Sequence, residues 1–287
     1  MKKPLLLLLA TSLLSLNVNA KNSQEYSELF KNYDACFILY NLNDHKIVSE
    51  YNPNNYCNQR ISPDSTFKIP LSLMAFNQGI MNQKTLFKWD GKKGVIPEHD
   101  RDQTPNSWLK YSVVWVSQQL TPQLGYARIK HYLAGFNYGN QNFNGDPGKN
   151  NGITHAWLSS GLKISAMEQL NFLKSMQSNE LPVSTEAVIN TKENLYIGKL
   201  DNGADYFGKT GSGRHGRNER LTNPSKLRDG WFVGFIQKGN QQYIFVSNLT
   251  DQKVQASIDK SDGSLKPFGS QLLKPITIKL LNDYFAN

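Results

Sequence analysis

The segment Pro63-Asp64-Ser65-Thr66-Phe67-Lys68-Ile69-Pro70 decides how the rest of the chain is read. A serine three residues before a lysine, at the head of an apolar run, puts hydroxyl and amine one helical turn apart on one face. That is a nucleophile beside a potential base. The run behind it predicts a helix from 65 to about 82, with Pro70 tolerated in the first turn. A helix N-terminus favours an oxyanion, and its free amides can point at a reaction centre. Ser-x-x-Lys alone is a weak signal, because it starts four times here, at Ser65, Ser107, Ser160 and Ser257. Context separates Ser65 from the others.

Two further motifs follow in order: Ser112-Val113-Val114, then Lys209-Thr210-Gly211. A Lys-Thr-Gly on a strand can bring an ammonium and a hydroxyl alongside the same serine. Ser112-Val113-Val114 carries little weight alone, but the order and spacing of the three point to acyl transfer on a small anionic substrate. Ala35 to Asn41 and Lys46 to Tyr51 read as a strand pair joined at Asn43-Asp44. Residues 105 to 195 carry helical patterns, the clearest beginning at Ser165. Asn194 to Leu200, Asp205 to Lys209, Gly230 to Ile236 and Gln242 to Leu249 are short, aromatic and β-branched, and a helix closes the chain from about 271 to 285. The expected fold is therefore α+β, an antiparallel sheet formed from both chain ends with an inserted helical region. Two long loops stand out, 137 to 152, rich in Gly and Asn, and 211 to 229, with Arg214, Arg217, Arg220, Lys226 and Arg228.

The full sequence has 287 residues, 39% hydrophobic and 19% charged, which allows a sizeable core. Lys2 and Lys3, the apolar run Leu5 to Leu14, and Val18-Asn19-Ala20 read as a signal peptide cleaved after Ala20. That run is too short for a membrane span, so residues 21 to 287 are read as one exported, periplasmic catalytic domain without stable membrane association. The formal charge of +9 becomes +7 without Lys2 and Lys3, and we read it as a solvated basic surface. No run of five or more basic residues occurs, which argues against nucleic acid. Cys36 and Cys57 are the two cysteines, and the sequence leaves open whether they pair or are two small buried thiols. The five histidines show no metal-ligand spacing. Gly211 to Gly216 matches a dinucleotide fingerprint, but Arg217 to Pro224 cannot open the apolar helix that motif needs. Glu168 is read as the third helical residue of a capping box with Ser165 rather than as a base.

At this point the chain resembles the class D serine β-lactamases, the oxacillinases. The residues that carry the likeness are Pro63 to Pro70, Ser112-Val113-Val114, Tyr138-Gly139-Asn140, Trp157-Leu158 ahead of Lys163-Ile164-Ser165, and Lys209-Thr210-Gly211. They stand in family order over essentially the whole chain after residue 20. Class A enzymes would want Ser-Asp-Asn at 112 to 114, and Glu168-Gln169-Leu170-Asn171 is one residue too short for their glutamate motif. The resemblance implies the serine β-lactamase and DD-peptidase-like transpeptidase fold, with small-molecule β-lactams as substrates and the oligomeric state left open. It implies Ser65 as nucleophile, Lys68 as an N-carboxylated general base, Ser112 as proton relay and Lys209 as charge stabiliser. Thr210 would hold the substrate carboxylate, Gly211 and Ser212 would line the site, and the amides of Ser65 and Ser212 would form the oxyanion hole. Val114, Trp157 and Leu158 would wall the lysine, with the Trp157 N–H holding the carbamate. No cofactor is implied beyond carbon dioxide or bicarbonate as the carbamate source, and no metal. Tyr138-Gly139-Asn140 would be structural. Two departures stand out: the stretch Lys266-Pro267-Phe268-Gly269-Ser270 lacks the arginine that many members use to grip the carboxylate, and Ser212 stands where many carry a bulky residue. Lys209, Thr210 and Ser270 or Arg214 would share the missing grip. The competing readings are a penicillin-binding transpeptidase and a β-lactam sensor, both of which would deacylate slowly.

Overall fold

The computed structural model describes residues 24–94, 96–215, 227–254 and 266–286. The signal-peptide reading of residues 1–20, Arg217, Arg220, Lys226 and the Ser-x-x-Lys at Ser257 lie outside the described residues. Six strands form one sheet: β1 (Tyr33–Asn41), β2 (Lys46–Tyr51), β3 (Tyr196–Lys199), β4 (Asp205–Arg214), β5 (Arg228–Lys238) and β6 (Gln241–Asp251), in the order β2-β1-β6-β5-β4-β3. Every pairing is antiparallel. The chain's two ends meet where β1 pairs β6, from Tyr33↔Asp251 to Asn41↔Tyr243. The expected sheet built from both termini is thus present.

Both faces of this sheet are covered, which is why β1 is buried continuously from Ala35 to Asn41 instead of alternating with solvent. Cys36, Ile38 and Tyr40 point into the larger core, with Trp231, Val233, Ile244 and Val246. Ala35, Phe37 and Leu39 point into the smaller one, with Phe232, Phe245 and Leu249. The smaller core is closed by α1 (24–29) and α9 (Gly269–Ala286). The larger core belongs to the inserted helices: α2 (Lys68–Asn77), α3 (Pro105–Tyr111), α4 (Val114–Leu124), α5 (Tyr126–Gly135), α6 (Gly152–His155), α7 (Ala166–Gln177) and α8 (Thr185–Asn194). Helix α2 is buried at every position from Lys68 to Ala75, as a segment apolar all round requires. Its one small hydroxyl there, Ser72, is satisfied by Thr191 of α8 at 2.9 Å. Cys36 and Cys57 form a disulfide that ties β1 to the 3-10 segment Pro53–Asn58.

Two sequence readings change. The helix predicted over 65 to 82 is a 3-10 turn, Asp64–Phe67, running into α2, which ends at Asn77. The loop predicted over 211 to 229 is strand at both ends, since β4 runs to Arg214 and pairs β5 through Gly211↔Trp231 and Arg214↔Arg228. Gly211 and Gly213 look like turn residues in the sequence, yet their role is close approach. A Cβ on Gly213 would fall 2.2 Å from the Asp64 carboxylate and 2.4 Å from Ser159 Oγ. The loop over 137 to 152 is irregular as expected up to Asn151, where α6 follows at Gly152.

Candidate active site

The site forms where the 3-10 turn, the α3–α4 junction and β4 meet. Three residues per turn bring side chains i and i+3 into line, and Lys68 Nζ donates to Ser65 Oγ at 3.1 Å. Lys68 has no exposed surface, and burial pulls its pKa down to about 7, against a smaller opposing pull from Asp64. Neutral, such an amine is both a base and a nucleophile. Ser65 itself is half-buried, open to a substrate.

Ser112 caps the C-terminus of α3 in the left-handed region, φ 63°, an uncommon place for a residue with a Cβ. Lys209 Nζ donates to Ser112 Oγ at 2.7 Å and to the Thr210 carbonyl at 3.0 Å. Lys209 is held well below the ordinary lysine range, first by burial and then by the ammoniums of Lys68 and Lys274. Ser112 accepts from Lys209, so its own proton is left to donate into the cleft.

The outer edge of β4 turns alternate amides away from β5. The Gly208 amide donates to the Leu195 carbonyl at 2.8 Å, away from β5. The Arg214 amide donates to Ser159 Oγ at 2.9 Å, also away from β5. Amides on a strand alternate in direction, so those of Thr210 and Ser212 point the same way. Gly211 carries this edge onto the nucleophile turn, because a Cβ there would sit 2.9 Å from the Pro63 carbonyl and 3.3 Å from the Ser65 amide. The edge of β4 and the nucleophile turn are therefore in close contact at Gly211. The Ser212 hydroxyl points to the opposite face and bonds Ser270 Oγ of α9 at 2.7 Å.

Trp157 is fully buried and stacks on Phe67, ring centroids 5.3 Å apart, and on Phe143 at 6.1 Å. Its indole N–H has no hydrogen-bond partner among the described residues. Such an orphan donor beside the Lys68 turn calls for an acceptor. Val114 is half-buried in the first turn of α4, and Leu158 is half-buried against the larger core.

Sequence reasoning missed the strut under the site. Asp64 is buried with φ 46°, and burial, reinforced by the Asp229 carboxylate, raises its pKa to about 8. It accepts from the Ser159 amide at 2.9 Å and from Ser159 Oγ at 3.0 Å. With the Arg214 amide on the same Ser159 hydroxyl, the nucleophile turn is tied to the end of β4. The glycine at 213 was the available signal, since only it leaves room for the Asp64 carboxylate. Phe143, from the long loop, was not singled out either.

Tyr138-Gly139-Asn140 pins that loop. Gly139, φ 55°, approaches the Lys163 carbonyl so closely that a Cβ would lie 2.0 Å from it. Asn140 accepts from the amides of Lys163 and Asn142 and donates to the Gly161 carbonyl. Glu168 forms the expected capping box with Ser165 and also pairs with Arg60. Of the other Ser-x-x-Lys serines, Ser107 caps α3 with Thr104, and Ser160 donates to Asp146.

The sequence profile of the penicillin-binding protein transpeptidase domain matches residues 22–274. The chain is 45% identical to the β-lactamase OXA-1 of Escherichia coli, over 78% of this chain and 79% of that one. This chain belongs to the class D β-lactamases. Its likeness to OXA-9 of Klebsiella pneumoniae is 38% over 78% of this chain and 80% of that one. The class D β-lactamase OXA-427 superposes with a TM-score of 0.76 at 33% identity, covering 88% of this chain and 99% of that structure. The shared architecture is the penicillin-binding transpeptidase fold.

Proposed function

We propose that this class D β-lactamase opens the β-lactam ring through an acyl-enzyme on Ser65, with Lys68 as the base side chain. It is a β-lactam hydrolase, and the family role is antibiotic resistance. The observation that carries the mechanism is the buried Lys68 amine, hydrogen-bonded to Ser65, beside a Trp157 N–H without an acceptor. Those groups fit a lysine N-carboxylate. Carbon dioxide added to the neutral amine supplies an anionic general base with two acceptor oxygens. Trp157 Nε1–H and the Ser65 hydroxyl are the donors that would hold it.

Ser65 Oγ gives up its proton on the Lys68 side as it attacks the lactam carbonyl carbon. The amides of Ser65 and Ser212 receive the oxygen charge, the kind of contact worth about 10²–10³ in rate. Ser112 passes its proton to the leaving lactam nitrogen, and Lys209 replaces it from behind. Thr210, Lys209 and Ser270 face the substrate carboxylate in place of an arginine. Val114 and Leu158 limit water around Lys68.

We also propose that residues 1–20 are a signal peptide and that 21–287 is the mature catalytic domain. The Cys36–Cys57 disulfide supports an oxidising destination, the periplasm. Among the described residues no helix is long and apolar enough to cross a membrane.

The test is Lys68→Ala with a penicillin, read by intact mass. The acyl-enzyme should form and persist, with turnover down about 10²–10⁴-fold, the usual worth of a general base. Rapid turnover in that variant would remove Lys68 from the base role.

A further inference from the structure

Resting on the β-lactam reading above, we propose that His99 is a positioning residue for Ser112: it holds the peptide before Ser112 and so aims the proton relay at the lactam nitrogen. His99 ends the 3-10 segment Pro97–His99 and is half-buried. Its ring Nε2 lies 2.8 Å from the Tyr111 carbonyl oxygen. A carbonyl only accepts, so Nε2 carries the proton and donates. Tyr111 is the last residue of α3, and the final carbonyls of a helix have no partner within it. A histidine side chain near the helix end can supply one.

The peptide that carries this carbonyl also carries the Ser112 amide, and a peptide unit is one plane. His99 grips that plane at its oxygen, and at its other end the Ser112 amide donates to the Leu109 carbonyl at 3.3 Å. Ser112 leaves the plane in the left-handed region, φ 63°. A residue with a Cβ stays there only where its surroundings over-determine it. The segment that brings His99 is itself clasped. Trp115 Nε1–H, from the first turn of α4, donates to the His99 carbonyl at 3.0 Å. Buried Gln103 donates to the Glu98 and Arg101 carbonyls at 2.8 and 3.0 Å. The Arg101 guanidinium lies over the Tyr111 ring, 5.1 Å from its centre. The segment therefore bridges α3 and α4, with Ser112 at the junction between them. Lys209 meets the Ser112 hydroxyl from β4 at 2.7 Å, while His99 sets the backbone that carries it. Removing the Nε2 donor frees the plane to turn, and Ser112 Oγ with it. The step that suffers is the one that uses the Ser112 proton. That step is acylation, in which the lactam nitrogen leaves; in deacylation the leaving atom is Ser65 Oγ.

The experiment measures acylation and deacylation rates with a penicillin, by rapid quench and intact mass. It uses the full chain as wild type, His99→Ala, His99→Gln, Ser112→Ala and the double variant of His99→Ala with Ser112→Ala. For His99→Ala we expect acylation to slow about tenfold or more, the cost of a slightly misplaced reacting group. Deacylation should keep the wild-type rate, which also reports an intact fold. Glutamine offers an amide N–H at comparable reach, so His99→Gln should restore acylation. On the Ser112→Ala background, His99→Ala should slow acylation no further, because its effect passes through Ser112. If His99→Ala does not fold, His99→Asn, whose amide is too short to reach the carbonyl, takes its place. Unchanged acylation in the folded variant, equal slowing of both steps, no restoration by glutamine, or an undiminished effect on the Ser112→Ala background would each overturn the proposal. A wild type that is acylated but does not turn over would overturn hydrolysis alone, and the acylation comparisons would still decide the role of His99. No acylation of wild type would overturn the β-lactam reading itself, and this proposal with it.

Discussion

A lysine in water keeps its proton to about pH 10.4, whereas Lys68 sheds it at about 7 because burial disfavours the ammonium. Below that pH the protonated side chain can neither accept the Ser65 proton nor react with carbon dioxide. At fixed low bicarbonate, kcat/KM should therefore fall as pH drops through about 7 and level off above it. A pH profile flat from 6 to 8.5 would contradict this. Trp157 adds a second residue-scale test. Trp157→Phe keeps the stack on Phe67 and Phe143 but removes the unpaired N–H. Losing one buried hydrogen bond to a charged group should raise the bicarbonate needed for half-maximal activity about tenfold. An unchanged bicarbonate titration would mean that the indole only packs. The identities of Ser65, Lys68 and Trp157 were legible in the sequence. The raised pKa of Asp64 was not, since it depends first on burial and then on Asp229, a residue 165 positions away that the fold brings near.

At the scale of elements, β4 does more than carry the Lys-Thr-Gly. Its outer edge packs on the nucleophile turn, and Gly211 sets how close the two can come. Gly211→Ala places a methyl group 3.2 to 3.3 Å from the Thr66 and Ser65 amides and 2.9 Å from the Pro63 carbonyl. It should push the strand off the turn and lower the acylation rate about 10²-fold, as loss of one oxyanion donor does. The thermal midpoint should fall as well, because the nearest atom is backbone, so stopped-flow acylation is read well below the transition. Wild-type acylation in this variant would show that Ser212 does not complete the hole. Here the sequence misled in a physical way. Gly211, Gly213 and the basic residues after them suggest a loop, because close approach by a strand and freedom in a turn select the same residue. Likewise the helix predicted from 65 was read at α-helical spacing, while the tighter 3-10 turn is what aligns Ser65 with Lys68.

At the scale of the molecule, the order of strands and helices was enough to predict an α+β sheet closed by both chain ends, because strand patterns at the two ends flank the helical ones, and β1 and β6 are buried along most of their length. Pairing of Cys36 with Cys57 was undecidable from spacing, since it rests on how the segment Pro53–Asn58 folds back on β1. Ser270 was a candidate in the sequence, but its position was not legible, because it depends on α9 packing against the sheet, which sets the Ser270 hydroxyl 2.7 Å from that of Ser212. The central claim is a serine acyl-enzyme cleared by a bicarbonate-dependent lysine base. The most direct measurement is hydrolysis of a chromogenic cephalosporin by purified residues 21 to 287, with and without bicarbonate, followed by intact mass. Sustained turnover that rises with bicarbonate, leaving no lasting adduct, is the predicted result. A single stoichiometric burst with a stable adduct on Ser65 would contradict it and mark the protein as a penicillin-binding acceptor or sensor.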